Sequence, residues 1–235
     1  MNNCRYKAVL FDLDGTLRAS LPEGFEIFVE FAHRVGVALD SDQARAVERA
    51  AHRYWAGGPQ VDADLARFDT RGFWVNYNHL LLDEVQANHT SDHAHQIQDL
   101  FDTVYDPQDA VYVDSYHVLG TLRGRGVKVG LVSNREEPLD PYVEKINLRP
   151  YFDFTLSGGQ AGCYKPSPGI FEAALKLAGD VPPAEALYVG DNYYADVVGA
   201  QNAGLSAILV DPRNAFAGFH DRRVRHLRDI LPQIL

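Results

Sequence analysis

The segment Lys7-Ala8-Val9-Leu10-Phe11-Asp12-Leu13-Asp14-Gly15-Thr16-Leu17 decides how the rest of the chain reads. Lys7–Phe11 is a short apolar run of the kind that forms a strand buried on both faces. It stops on two acids and a glycine, where a neutral turn is the ordinary ending. Carboxylates this close repel each other, so a metal cation or a shared proton is the natural remedy. One acid then suits a nucleophile and the other a proton donor, the division of labour that phosphate transfer requires. The same residues also fit a plain strand-to-helix turn, with Asp14-Gly15 in the turn and Thr16 as the cap.

Outward from this segment, Val127–Val132, Ala186–Val189 and Ala207–Val210 repeat the buried-strand pattern, and Phe152–Leu156 is a weaker fifth strand. Helical patterns lie between them over 112–123, 141–146, 168–177 and 194–203. Alternation of this kind predicts an α/β fold, an open and mostly parallel sheet with right-handed crossovers. Ligands in such sheets bind beyond the carboxyl ends of the strands, where Asp12 and Asp14 lie. Between Leu17 and about Asp109 the texture changes to amphipathic helices with no strand-like run. Phe25, Phe28, Val29, Ala32 and Val35 share one helical face, and Asp40 or Ser41 caps a helix that Gly57-Gly58-Pro59 ends. Further helices are predicted over 70–85 and 92–104. The expected organisation is a core of residues 1–17 and 110–235, interrupted by an all-helical cap, or lid, of residues 18–109.

Composition narrows the class of partner. The chain has 235 residues, 22 basic and 32 acidic side chains, and a formal net charge of −10. An acidic balance argues against nucleic acid or an anionic membrane as partner and suits a protein that holds a divalent cation. Cys4 and Cys163 are the two cysteines, which gives neither a disulfide framework nor a thiolate zinc site and makes a cytoplasmic setting the expectation. The apolar stretch Ala8–Phe11 is too short for a signal peptide, and no window approaches the roughly 20 apolar residues of a membrane span.

The other strand ends carry matching chemistry. Leu131-Val132-Ser133-Asn134 offers a hydroxyl and turn amides to a phosphoryl oxygen, although Ser-Asn is also a common turn. In Tyr164-Lys165-Pro166-Ser167-Pro168 two prolines stiffen the loop and start a helix, which directs Lys165 to the strand ends; taken singly it also reads as a surface lysine. Leu187-Tyr188-Val189 ends in Gly190-Asp191-Asn192, and Asp196 follows at a helix start, where an acid is favourable for dipole reasons alone.

Asp-x-Asp-Gly-Thr, Ser-Asn, Lys-Pro and Gly-Asp-x-x-x-x-Asp, in this order, resemble the four motifs of the haloacid dehalogenase-like hydrolase superfamily. The position of the insert resembles the helical cap of its phosphoglycolate phosphatase-like subgroup. The resemblance implies a Rossmann-like core and a phosphatase that acts on a small phosphorylated metabolite. It implies Asp12 as the nucleophile that becomes an aspartyl-phosphate and Asp14 as general acid, then base. Ser133 and Lys165 are the implied phosphoryl-binding residues, with Thr16, Asn134 and Arg18 around the substrate. Mg²⁺ is implied on the carboxylates of Asp12 and Asp191 and the backbone carbonyl of Asp14, with Asp196 behind the metal or Lys165. An acid at position 14 separates this chain from true haloacid dehalogenases, which carry a non-acid there. The rival readings are a sugar-phosphate mutase of the same superfamily and a non-catalytic binding protein on this scaffold.

In the insert, Phe73 and Tyr77 read as helical core, while Asn78, Arg71 and Arg18 are candidate substrate contacts. His89 and His93 have the four-residue spacing of a shared helical face, with a solvated helix as the plainer reading. Arg222, Arg223, Arg225 and Arg228 read as a solvated helix.

Overall fold

A computed structural model describes residues 4–57 and 59–235. The chain divides into two compact units, Met1–Ala19 with Val111–Leu235, and Ser20–Ala110.

The first unit is built on β1 (Ala8–Phe11), β4 (Lys128–Ser133), β5 (Phe154–Ser157), β6 (Ala186–Gly190), β7 (Ser206–Val210) and β8 (Arg223–Val224). They form a sheet in the order β5-β4-β1-β6-β7-β8, and every neighbouring pair is parallel. The two-residue period of a strand explains why the runs are apolar throughout. Val9 and Phe11 face a core with Leu119 and Leu122 of α6 (Val113–Gly124) and Val143 of α7 (Asp140–Lys145). Ala8 and Leu10 face the opposite core with Ile170, Phe171 and Ala174 of α9 (Pro168–Leu177), which follows the single turn α8 (Gly158–Ala161). Phe11 is in register with Leu131 of β4 and Val189 of β6. That register brings Asp12, Ser133 and Asp191 to one edge of the sheet, at the carboxyl ends of three adjacent strands.

The second unit contains α1 (Gly24–Arg34), α2 (Ser41–Trp55), α3 (Pro59–Arg67), α4 (Thr70–Glu84) and α5 (Ser91–Val104). Its core joins Phe28 and Phe31 of α1, Val47 of α2, Leu81 and Leu82 of α4, and Ile97 of α5. Asp40 starts α2 with a capping box, its carboxylate accepting from the amides of Asp42 and Gln43. The predicted stop of this helix includes Gly58, which lies outside the described residues. Among the described residues no helix is long and apolar enough to cross a membrane.

Three features depart from the sequence reading. The stretch read as strandless contains β2 (Arg18–Leu21), which pairs with β3 (Gln108–Val111) in a two-stranded ribbon where the chain enters and leaves the helical unit. Arg-Ala-Ser-Leu and Gln-Asp-Ala-Val carry too little apolar content to show a strand pattern. The arginine-rich C-terminus is not a solvated helix: Arg223 lies in β8 and bonds Asp211 and Asn214 at 2.7 and 2.6 Å. Val224 and Leu227, among those arginines, and Ile230 and Ile234, after them, are buried in the first core. Finally, the last predicted helix opens as a wide π-type turn, Tyr193–Val198, before α10 (Gly199–Asn202).

The packing sets a stability expectation. Leu10 is fully buried on the central strand, so Leu10→Ala lowers the unfolding free energy by about 2–5 kcal/mol. Leu65 of α3 is 58% exposed, and Leu65→Ala stays within about 0.5 kcal/mol. Chemical denaturation midpoints of the two variants measure the contrast.

Candidate active site

Asp12 directly follows β1, and its amide donates to the Val189 carbonyl at 2.9 Å, which extends the ladder by one residue. The side chain is buried and its Oδ1 accepts from Nζ of Lys165 at 2.6 Å. Burial pushes the Asp12 carboxyl up to about 7 against the opposing pull of Lys165, with Asp196 and Asp14 adding to the rise.

Lys165 is 3% exposed, so it is no surface lysine. Its ammonium also donates to Asp196 Oδ1 at 2.6 Å and to the Tyr188 hydroxyl at 3.0 Å. Three donors thus meet three acceptors. Burial opposes the charge, but the two carboxylates outweigh it and hold the lysine well above its ordinary range. Tyr188 passes the network on by donating to the Val132 carbonyl at 2.8 Å. Asn134 brackets the main chain of Lys165, accepting from its amide at 2.7 Å and donating to its carbonyl at 2.9 Å. The residue expected at the substrate therefore ties the β4 loop to the lysine loop. Asp196 is fully buried, and its second oxygen accepts from the Asn192 amide at 2.9 Å.

Asp191 accepts from the Thr16 hydroxyl at 3.0 Å, so Thr16, also expected at the substrate, is buried against an acid. Gly15 lets the two strand-end loops approach: its φ is +84°, and a Cβ there would lie 2.2 Å from Asp191 Oδ2. A Cβ on Gly190 would meet Asp196 Oδ2 at the same distance. Asp12, Asp191 and Asp196 each offer an oxygen, and these oxygens lie within 4.8 Å of one another. Three carboxylates against one ammonium leave two negative charges to neutralise, and the donors are all hard oxygens. This donor set fits a small divalent cation such as Mg²⁺.

Asp14 points elsewhere. Arg135 grips it in a two-pronged contact, Nε to Oδ2 and Nη2 to Oδ1, both at 2.8 Å. Arg18 adds a bond from Nη1 to Oδ1 at 2.8 Å, so its guanidinium ends on Asp14. Tyr142 of α7 lies under both arginines, its ring centre 4.1 Å from Arg135 and 5.5 Å from Arg18. Ser133 is buried at the end of β4, paired in the sheet with Ser157 of β5.

The structure brings together Asp12, Lys165, Asp191 and Asp196. Sequence reasoning missed Tyr188 and Arg135. Tyr188 read as one more apolar strand residue, whereas Arg135, directly after Ser133-Asn134, had a positional signal. Candidates in the insert are engaged elsewhere. Asn78 is buried and donates to the Ala94 carbonyl and to Gln98, while Arg71 pairs with Asp99 and Asp102. His89 precedes α5 and His93 accepts from the Thr90 amide at 2.9 Å, so they share no helical face.

Residues 6–204 match the model of the haloacid dehalogenase-like hydrolase family. Haloacid dehalogenase-like hydrolase domain-containing protein 3 of Bos taurus is 44% identical over 93 residues, which span 38% of this chain and 37% of that protein's length. Phosphoserine phosphatase of Thermus thermophilus is 31% identical over 95% of this chain and 97% of its own. The crystal structure of a phosphatase of this family from Thermococcus onnurineus matches with a TM-score of 0.57 at 23% identity, over 97% of each chain. With its four motifs converging at one edge of the parallel sheet, the chain belongs to the haloacid dehalogenase-like hydrolase family.

Proposed function

We propose that the chain is a Mg²⁺-dependent phosphatase that hydrolyses a small phosphorylated metabolite through an aspartyl-phosphate on Asp12. The observation that carries this reading is the buried Asp12–Lys165 pair at a strand end, with Asp191 and Asp196 beside it. The Thermus relative, whose name is that of a phosphatase, aligns over nearly the whole chain and supports the reaction class.

In this reading an Asp12 oxygen attacks phosphorus and the ester oxygen leaves, taking a proton from Asp14. Asp14 then takes a proton from water as that water attacks the aspartyl-phosphate, releasing inorganic phosphate and restoring Asp12. Asp12, Asp191 and the backbone carbonyl of Asp14 would hold the cation, with Asp196 behind them. When bound, the cation supplies positive charge that keeps Asp12 ionised and screens the two anions as they meet. Lys165 holds the nucleophile in place. Its bond to Tyr188, the longest of its three at 3.0 Å, is the one to trade for a phosphoryl oxygen. Ser133 donates its hydroxyl to the same group. Asn134 and Thr16 serve by fixing Lys165 and Asp191.

Asp12→Asn is expected to abolish phosphate release from p-nitrophenyl phosphate with the melting temperature kept. Full turnover in that variant overturns the mechanism. Chelation with EDTA should remove activity and added Mg²⁺ restore it.

Asp14→Asn discriminates by leaving group. Formation of the aspartyl-phosphate should slow by roughly 10²–10⁴-fold with an alkyl phosphate and far less with an aryl phosphate, whose phenolate leaves without a proton. Single-turnover kinetics on the two substrates measure the difference.

A further inference from the structure

We infer that Arg135 is a specificity-determining residue that binds a second anionic group of the substrate, a carboxylate or a phosphate, a few bonds from the scissile ester. The inference rests on the phosphatase reading, because it takes Asp14 as the group that meets the leaving oxygen. Two guanidinium groups converge on the single carboxylate of Asp14.

The clamp also occupies Asp14. Three guanidinium donors take three of the roughly four lone-pair positions of a carboxylate. Arg135 supplies two of the three, and its side chain is 33% exposed beside a 40% exposed Asp14. A ligand anion can therefore reach this fork from solvent, whereas the Arg18 side chain is 8% exposed. Exchange of Asp14 for a ligand carboxylate or phosphate keeps the fork filled and turns Asp14 loose for the leaving oxygen. Because Asp14 has to touch that oxygen and Arg135 touches Asp14, the second anion belongs close to the ester. Tyr142 keeps the guanidinium plane in place during the exchange. In the resting chain Asp14 thus stands in for the anion that Arg135 binds.

Non-hydrolysable ligands test this without turnover. With Mg²⁺ present, calorimetry compares 3-phosphonopropionate and ethylenediphosphonate with propylphosphonate, which lacks the second anion. The chain should bind at least one of the two dianionic-ended ligands roughly tenfold more tightly than propylphosphonate. The arm that wins distinguishes a carboxylate from a phosphate. Arg135→Gln should erase the preference, and Arg135→Lys should keep part of it, since an ammonium retains the charge but not the fork. Equal affinity for all three ligands overturns the inference, as does an Arg135→Gln variant of unchanged melting temperature that weakens all three alike. Hydrolysis of p-nitrophenyl phosphate is followed separately. A chain that shows the preference without hydrolysing any phosphate ester supports the role of Arg135 and overturns the phosphatase reading. A chain that hydrolyses the aryl ester without the preference does the reverse.

Discussion

The ammonium of Lys165, shared among Asp12, Asp196 and Tyr188, is the contact on which the rest of the site depends. Two buried carboxylates and a buried amine are each unfavourable alone, and each is tolerable here because the others are present. Removal of the shared ammonium would cost about 3–5 kcal/mol, because it leaves two buried carboxylates without compensation. The sequence around the network answers that constraint. Pro168 begins α9 just beyond the loop, Asn134 bonds both main-chain polar groups of Lys165, and Tyr188 anchors the ammonium to β4 through Val132. Asp12 at the end of β1 is thereby fixed by residues from β4, β6 and two loops.

Close approach of backbone to carboxylate is the second constraint. Gly15 and Gly190 sit where any side chain would collide with Asp191 and Asp196. These glycines explain why the acids converge within 4.8 Å when electrostatics alone would spread them apart. Repulsion among the acids is offset partly by Lys165 and by hydrogen bonds from Thr16 and the Asn192 amide. The charge that remains is what makes the cluster suited to a divalent cation.

The central strands, their parallel direction and the strand-end acids were legible because they rest on local signals: apolar runs, glycines and motif spacing. Residues 18–21 and 108–111 were not, since a ribbon of mixed polarity forms through pairing that no short window contains. The C-terminal arginines misled for a related reason: apolar residues three or four apart among and after them read as one helix, whereas the chain there forms a two-residue strand and two short helical turns packed on the core. Tyr188 looked like ordinary core because its ring does pack against Phe171. Only the three-dimensional placement of Lys165 gives its hydroxyl a role. Arg18 and Asn134 were visible as polar groups near the motifs, but their targets, Asp14 and the Lys165 backbone, are set by the fold.

The contrast between Asp12 and Asp14 shows how one loop produces two different acids. They are two residues apart, yet the turn at Gly15 leaves Asp12 buried on Lys165 and Asp14 half exposed on two arginines. Enzymes that need a nucleophile and a proton carrier gain by giving similar carboxylates dissimilar surroundings. Here the buried acid is tied to a rigid network of three elements and has little freedom to move. The exposed acid is held by side chains at the rim, where a ligand that competes for one guanidinium can release it. Rigidity at Asp12 and exchange at Asp14 are therefore consequences of the same strand end, with only Leu13 between the two acids.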